Sequence, residues 1–279
     1  MKKTINKYLP LAYGSYFNLL AAISRKKAAE KAFRLFCTPR KGRVRPEQHD
    51  FLEQAKSHRL KAVNEELQTY HWQGENETVL LLHGWESNAF RWRNLITFLK
   101  KESYNIVAFD APAHGHSTGT ILNVPLYTEC TKVVVDAYQP KIVIGHSVGG
   151  MNTLYNQEKY PNKVIEKIVT IGSPSRLKDI MNDYQQILKF NENVLNGLDD
   201  HFKALFGFGI EEFSTSKFTG HLPKKGLIIH DEEDVIAPFS ASESVHEAWK
   251  NSSFFRTKGL GHSMHQDQVN LQIMDFIRS

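Results

Sequence analysis

Ten residues decide the predicted fold: Lys141-Ile-Val-Ile-Gly-His-Ser-Val-Gly-Gly150. The apolar run at residues 142–144 is typical of a strand buried on both faces, and the residues after Gly150 have helical spacing. A Gly-x-Ser-x-Gly pattern between a strand and a helix forms a sharp turn, because glycine tolerates the close backbone contacts there. The pattern predicts that Ser147 is a nucleophile at a helix N-terminus, where developing negative charge is favoured.

The nucleophile requires a base, because a serine hydroxyl reacts poorly until its proton is removed. The sequence offers Gly259-Leu-Gly-His262 after the last predicted strand. Its glycines allow a loop that can bring the ring of His262 to Ser147. We therefore expect His262 to be the base, with His265 as the alternative.

The base requires an acid that fixes its tautomer and stabilises the imidazolium. The predicted strand at residues 227–229 runs into a cluster of four acidic residues at 231–234. Asp234 differs from the others because the apolar segment that follows it anchors the loop to the core. We expect Asp234 to be the acid, with Asp231 as the alternative.

Short β-rich runs alternate with amphipathic helical patterns along most of the chain. This alternation predicts an α/β fold with a doubly wound, mostly parallel sheet. The predicted strands are residues 67–72, 79–82, 106–109, 142–144, 168–171, 227–229 and 253–256. Helical spacing is found within residues 92–99, 126–137 and 269–277.

One interval, residues 175–220, has no strand pattern, and the spacing of its apolar residues predicts two or three helices. Its second half holds more large apolar side chains than a bare surface loop needs, among them Phe206 and Phe213. We expect a helical lid that covers Ser147 and lines an apolar acyl pocket. The alternative is that these side chains simply pack against the edge of the sheet.

Residues 1–45 are predicted to form a basic amphipathic helical arm ahead of a body of residues 46–279. The arm has 12 Lys or Arg residues and one acid, Glu30, whereas the body has 23 basic and 29 acidic residues. Apolar residues at helical spacing predict one helix over about residues 15–36. Such a helix can lie in a membrane interface or pack on the acidic body, and the sequence leaves both open.

The composition, with 41% hydrophobic and 23% charged residues in a chain of 279, fits a soluble globular protein. No segment reaches the roughly 18 apolar residues of a spanning helix. Cys37 and Cys130 lack metal-ligand spacing and are expected to be buried thiols in a reducing compartment. We therefore expect a cytoplasmic protein that can associate with a membrane through its arm. The sequence carries no signal for an oligomeric state.

A serine, an aspartate and a histidine follow one another in the order Ser147, Asp234, His262 on a parallel-sheet pattern. This arrangement resembles the α/β-hydrolase superfamily, in particular its small serine esterase and lysophospholipase-like members. The resemblance covers roughly residues 67–279 apart from the lid interval.

Two further loops extend the resemblance. Leu80-Leu-Leu-His-Gly-Trp85 is similar to the family's His-Gly-x loop, which implies an oxyanion hole formed by the backbone N–H groups of Trp85 and Val148. Residues 109–117 are similar to the family's Asp-x-Pro-Gly-x-Gly-x-Ser loop. Ala113 stands in place of the first glycine of that loop, so we expect this turn to differ. Asp231 stands where the family's acid loop often has glycine, so the resemblance is weaker around Asp234.

The resemblance implies a serine carboxylic-ester hydrolase that works without a cofactor through an acyl-enzyme intermediate. Its substrate would be a small-molecule ester with an apolar acyl group. We expect Trp85, His146, Phe206 and Phe213 to line the substrate pocket. The alternatives are a thioesterase, a hydrolase of C–C or peptide bonds, and a non-catalytic binding protein of the same fold.

Two other classes of function fit the sequence less well. A metal hydrolase would need a ligand set, for which Asp110, His114 and His116 have suitable spacing. His83 or His230 would complete that set, but the first three residues lie in a loop that the resemblance already explains. Nucleic-acid binding rests on the basic arm alone, which has no recognition motif. We therefore expect neither a metal nor a nucleic-acid partner.

Overall fold

The computed structural model describes the backbone of residues 2–279 and the side chains from Tyr8 onward, and within this part of the chain eight strands form one sheet. The strands are β1 (Lys56–Ala62), β2 (Glu65–Trp72), β3 (Asn76–Leu82), β4 (Tyr104–Phe109), β5 (Ile142–His146), β6 (Lys167–Ile171), β7 (Lys225–Asp231) and β8 (Ser252–Thr257). Their spatial order is β1-β2-β4-β3-β5-β6-β7-β8. β2 runs antiparallel to both β1 and β4, and all other neighbours are parallel.

Helices fill most of the connections between the strands. They are α1 (Lys2–Ile23), α2 (Arg25–Cys37), α3 (His49–Leu52), α4 (Arg93–Lys101), α5 (Val124–Tyr138), α6 (Val148–Lys159), α7 (Leu177–Leu188), α8 (Glu192–Phe206), α9 (Thr215–Thr219), α10 (Phe239–Ala248) and α11 (Asp267–Arg278). The predicted fold class, a doubly wound and mostly parallel sheet, is confirmed.

Both faces of the sheet are buried, which explains why its central strands are almost wholly apolar. In β3, Val79 and Leu81 point into a core cluster that contains residues of α4 and α11. Leu80 and Leu82 point into the opposite cluster, which contains residues of α5 and α6. Because successive side chains of a strand point to opposite faces, a strand covered on both sides needs apolar residues at every position.

All seven predicted strands are present, but the sequence analysis missed β1. The sequence of β1 is Lys-Ser-His-Arg-Leu-Lys-Ala, and most of its residues are exposed. It pairs with β2 at one edge of the sheet. Charged side chains protect an edge strand from pairing with other chains, and they also remove the apolar pattern by which a strand is recognised.

The chain divides into two compact units, one made of Pro39–Ser175 and Thr215–Ser279 and the other of Met1–Thr38 and Arg176–Ser214. The sheet lies in the first unit. The second is helical and contains α1, α2, α7 and α8, so the arm as far as Thr38 and most of the predicted lid interval belong to the same unit, whereas the rest of the arm belongs to the first unit. Within it the ring of Phe33 on α2 contacts the ring of Phe202 on α8 at a centroid distance of 5.4 Å.

The arm contains two helices where the sequence analysis predicted one. The break is at Ser24, which has extended backbone dihedral angles, and its hydroxyl accepts a hydrogen bond from the backbone N–H of Lys27. Serine is a favoured N-cap residue because this bond satisfies a donor that a helix start leaves unpaired. In the described residues, no helix has both the length and the apolar character needed to cross a membrane.

Candidate active site

The turn between β5 and α6 holds Ser147 in a strained backbone conformation, with φ 54° and ψ −125°. The backbone N–H of Ser147 donates to the carbonyl of Ile171 at 2.8 Å, which secures the turn to the neighbouring strand. A Cβ atom at Gly149 would lie 2.3 Å from the carbonyl oxygen of Leu82, so only glycine fits there. Left-handed backbone at a non-glycine residue is costly and is concentrated at functional sites.

The structure brings the side chains of Ser147, His262 and Asp234 into one chain of hydrogen bonds. The Oγ atom of Ser147 lies 3.0 Å from Nε2 of His262. The Nδ1 atom of the same ring lies 2.7 Å from Oδ2 of Asp234. With Nδ1–H donating to the carboxylate, Nε2 is free of hydrogen and accepts the hydroxyl proton. This arrangement can remove the proton of Ser147 as it attacks an electrophile.

The carboxylate of Asp234 is buried and surrounded by donors. Its Oδ1 atom accepts the backbone N–H groups of Ile236 at 2.8 Å and Ala237 at 3.0 Å. Its Oδ2 atom lies 3.2 Å from Nε2 of His230 as well as next to His262. Burial alone would raise the pKa of Asp234, but the hydrogen bonds from the two histidines and the two backbone groups outweigh it and hold the pKa well below its usual value.

Asp231, the alternative acid, supports the histidine loop rather than the ring. Its Oδ2 atom accepts hydrogen bonds from the hydroxyl of Thr257 and the backbone N–H of Leu260, both at 2.9 Å. Its Oδ1 atom accepts the backbone N–H of Glu233 at 3.0 Å. These bonds give the Asp231 side chain a structural role between the acid loop and the histidine loop.

Side chains from elsewhere in the sequence donate hydrogen bonds to backbone carbonyls of the loop that carries His262. A guanidinium nitrogen of Arg91 donates to the carbonyl of Ser263 at 3.1 Å. The side-chain amide of Asn94 donates to the carbonyl of His265 at 3.2 Å. The imidazole of His265 is half-buried, and burial with the nearby positive charge of Arg91 lowers its pKa to about 4. The sequence analysis missed Arg91 and Asn94, because nothing in their local pattern marks them.

His146, predicted as a pocket residue, also holds this loop. Its Nε2 atom lies 2.9 Å from the carbonyl oxygen of His262, and the two rings are 4.8 Å apart. Burial first, and then the positive charge of Arg91, lower the pKa of His146 well below the usual value. The neutral ring donates from Nε2, and its Nδ1 atom has no hydrogen-bond partner within the described part of the chain.

The loop predicted to form an oxyanion hole lies against Ser147. A Cβ atom added to Gly84 would be 2.9 Å from the Cβ atom of Ser147, so the residue before Trp85 touches the nucleophile directly. Val148 is the first residue of α6. A backbone N–H in the first turn has no acceptor within its own helix and is available for a ligand. The role of the N–H groups of Trp85 and Val148 stays a prediction.

His83 joins this loop to the one that follows β4. Its Nε2 atom accepts the backbone N–H of Ala111 at 2.9 Å, so its proton lies on Nδ1, which donates to the carbonyl of Gly84 at 2.7 Å. The side chain is completely buried, and this burial lowers the pKa of His83 to about 4. The histidine of the His-Gly-x loop therefore fixes backbone geometry next to Ser147.

The residues considered as metal ligands take part in the hydrogen bonds of their own loop. Asp110 accepts the backbone N–H groups of Ala89 and His116, each at 2.9 Å, and the hydroxyl of Tyr70 at 2.8 Å. His114 accepts the backbone N–H of Glu86 at 3.0 Å. In residues 2–279 no cluster of three or more metal-binding side chains is found.

Phe206 and Phe213 lie in the helical unit, in a cluster of aromatic rings. Phe206 contacts Phe33, Phe202 and Phe208 at centroid distances of 6.0, 5.8 and 5.8 Å. Phe208 also contacts Phe213 at 5.1 Å. That these two phenylalanines line a substrate pocket, and that the interval at 175–220 covers Ser147, remain predictions.

Comparison with known proteins identifies the family. A bifunctional esterase/perhydrolase of Acinetobacter calcoaceticus is 28% identical over 249 residues, covering 71% of this chain and 90% of that protein. A pimeloyl-(acyl-carrier protein) methyl ester esterase of Vibrio campbellii is 26% identical over 152 residues, covering 54% of this chain and 57% of that protein.

Among solved structures, an esterase of Exiguobacterium antarcticum has the same fold, with a TM-score of 0.64 at 17% identity, covering 80% of this chain and all of that one. A family model described as alpha/beta hydrolase fold matches residues 77–225, which include β3–β6 and Ser147. The chain therefore belongs to the α/β-hydrolase family.

Proposed function

We propose that this protein is a serine hydrolase that cleaves carboxylic esters, with Ser147 as nucleophile, His262 as base and Asp234 as acid. The observation that carries the proposal is the continuous hydrogen-bond chain from Ser147 Oγ through His262 to Asp234, at 3.0 Å and 2.7 Å. In this arrangement one ring nitrogen of His262 can accept the proton of Ser147 while the other is held by Asp234, as general-base activation of a serine requires.

The geometry supports a two-step reaction. The Oγ atom of Ser147 attacks the ester carbonyl carbon while Nε2 of His262 takes its proton. The oxyanion that forms would accept the N–H groups of Trp85 and Val148, where removal of one such donor costs about 3 kcal/mol in other hydrolases. The C–O bond then breaks, His262 returns the proton to the leaving alcohol, and water attacks the acyl-enzyme by the same route.

The choice of an ester rests on the relatives. The proteins of Acinetobacter calcoaceticus and Vibrio campbellii are both named as esterases. Thioesters and C–C or peptide bonds remain the alternatives, because the same three residues can serve all of these reactions. A non-catalytic role is disfavoured by the filled positions of the nucleophile, base and acid.

Covalent labelling tests the nucleophile. A fluorophosphonate probe should label the native protein on the peptide that contains Ser147, and Ser147→Ala should abolish labelling without loss of folding. Ser244→Ala is the matched control, because Ser244 is an exposed helix serine whose hydroxyl only donates to the carbonyl of Ser240. Absence of labelling in the folded native protein would favour the non-catalytic alternative.

A hydrolysis screen tests the reaction class. p-Nitrophenyl esters from short to long acyl chains should be turned over by the native protein and by Ser244→Ala, but not by Ser147→Ala. Acyl thioesters and p-nitroanilides, tested in parallel, separate the alternatives. Activity that survives prolonged chelation would argue against a metal hydrolase. Ester turnover that is undiminished in Ser147→Ala would overturn the proposal.

A further inference from the structure

Helix α1 has one face that packs within the helical unit. Phe17 and Ala21 on this face are almost completely buried. Asn18, beside them, donates to the carbonyl of Lys189 at 3.3 Å and accepts the backbone N–H of Asn191 at 2.7 Å, so it joins α1 to the connection between α7 and α8. These contacts fix which side of α1 faces the protein.

The opposite face of α1 is apolar and exposed. We name it the α1 outer face; its apolar residues are Leu11, Ala12, Tyr16, Leu19, Ala22 and Ile23, and Ser15, which is also exposed, lies among them. Leu19 is 72% exposed and Ile23 is 86% exposed. At 3.6 residues per turn, these six residues cover an arc of about 140° around the helix. Between Tyr8 and Ser24 the sequence contains no charged residue at all.

Such a face is unusual on a surface that meets only water. Single exposed apolar residues are normal, but a contiguous stripe along four turns marks an interaction site. The buried face already supplies the packing of α1, so the apolar character of the outer face is not needed to hold the helix in place. Its occupant must therefore come from outside the described protein.

The charges at both ends of this face are positive. Lys2, Lys3 and Lys7 precede it in the sequence, and the residues that follow it include Lys26, Lys27 and Lys31, which are exposed. The charge of Arg25 is neutralised by Asp200, which lies 2.5 Å away. The lysines face little acidic competition from their own segment, because Glu30 is the only acidic residue in the sequence of residues 1–45. An apolar helix face that is flanked by lysines in the sequence complements a lipid surface with anionic headgroups.

We propose that the α1 outer face docks onto an anionic lipid bilayer, with the helix axis in the plane of the interface. Burial of the six apolar side chains among acyl chains supplies the apolar contribution, and the exposed Lys26, Lys27 and Lys31 of α2 supply positive charge for the anionic headgroups. Tyr16 suits this depth, because tyrosine has an apolar ring and a polar hydroxyl. A second copy of this chain is disfavoured as the occupant. A two-fold contact between two α1 outer faces would bring lysine-rich segments of both copies together, and these repel each other.

Vesicle sedimentation of the full chain at physiological salt tests the proposal, which does not depend on Ser147. The native protein should sediment with phosphatidylcholine vesicles that contain about 30% anionic phosphatidylglycerol, and should bind pure phosphatidylcholine at least about tenfold more weakly. The double variant Leu19→Gln/Ile23→Gln should lose at least tenfold in affinity for the anionic vesicles. Lys26→Gln/Lys27→Gln/Lys31→Gln should weaken anionic binding and leave binding to neutral vesicles unchanged.

The matched control is Val63→Gln/Leu271→Gln, which removes two exposed apolar side chains outside the helical unit and should bind vesicles as the native protein does. All substituted side chains are exposed, so every variant should keep the native fold. Thermal unfolding of each variant checks this. Native protein that stays in the supernatant with anionic vesicles would overturn the proposal. So would unaltered binding by Leu19→Gln/Ile23→Gln, or a native dimer that becomes monomeric in that variant and binds no vesicles.

Discussion

Asp231 and Leu260 connect the acid loop to the histidine loop, because Oδ2 of Asp231 accepts the backbone N–H of Leu260 at 2.9 Å, two residues before His262. Asp234 follows Asp231 by three residues, and its carboxylate contacts the His262 ring itself at 2.7 Å. Two carboxylates of one short loop therefore support different parts of the same histidine: one fixes its backbone and the other its ring.

This division predicts different kinetic effects for the two aspartates. Asp234→Asn should lower kcat by about 10⁴-fold, the loss seen for the equivalent change in other serine hydrolases, because asparagine favours the wrong tautomer of His262. Asp231→Asn should cost much less, since the ring keeps its partner. Steady-state kinetics on one p-nitrophenyl ester measures both. A larger loss in Asp231→Asn than in Asp234→Asn would show that the acid has been misassigned.

Asp231 should also make folding stability depend on pH. Burial would raise its pKa, but hydrogen bonds from Leu260, Thr257 and neighbouring backbone groups hold the pKa below its usual value. A carboxyl whose pKa is lower in the folded state takes up its proton first in the unfolded state as the pH falls. Its stabilising contribution is therefore fully present above the unfolded pKa of about 3.9 and is lost as the pH falls towards the folded value.

Urea unfolding between pH 7 and pH 3 checks this sign. The difference in the free energy of unfolding between native protein and Asp231→Asn should be largest near neutrality and should shrink below about pH 4. Thr257→Val, which removes one of the donors to Asp231, should show part of the same trend. A difference that stays constant over the whole range would contradict the interpretation.

Ala113 has a positive φ of 65°, at the position where the family's loop has its first glycine. Left-handed backbone costs an alanine about 1–2 kcal/mol, whereas glycine adopts it freely but loses about 0.4–1 kcal/mol through unfolded-chain entropy. Ala113→Gly should therefore raise the free energy of unfolding by about 0.5–1 kcal/mol.

The same substitution at Ala137, an exposed position in α5, is the control and should lower the free energy of unfolding by about 1 kcal/mol. Chemical denaturation of the two variants measures both changes. If Ala113→Gly destabilises the protein as much as Ala137→Gly does, the left-handed conformation is not a source of strain.

The positions of the parallel strands, and Ser147 and His262 as members of one hydrogen-bond chain, could be proposed from the sequence for a simple reason. A strand buried on both faces is a continuous apolar run, and Ser147 stands in a glycine-rich turn directly after such a run. His262 stands in a glycine-rich loop a few residues after the last strand. Other features have no local pattern. His230 contacts Asp234 only because the turn after β7 folds back, and Arg91 reaches the histidine loop from 172 residues away in the sequence.

The break at Ser24 is a different case, because its signal was present. A serine followed by a long helical pattern is a typical N-cap, but uninterrupted apolar spacing on both sides favoured one helix. A single helix would place Tyr16, Ile23 and Phe33 broadly on one face. In the structure Tyr16 and Ile23 lie on the exposed side, and Phe33 on α2 is buried.

The last prediction concerns Phe206 and Phe213 and separates packing from substrate contact. If both line an acyl pocket, Phe206→Ala and Phe213→Ala should shift the preferred acyl chain among p-nitrophenyl esters towards longer chains, because each truncation enlarges the pocket.

Phe202→Leu is the matched control: Phe202 belongs to the same aromatic cluster and is buried, but it is not predicted to touch substrate. It should lower Tm and leave the chain-length profile unchanged. Packing alone would lower Tm in all three variants, because Phe→Ala costs about 3–5 kcal/mol of unfolding free energy where the ring is fully buried and less where it is half-buried. An unaltered profile in both alanine variants would then leave Phe206 and Phe213 as core residues of the helical unit.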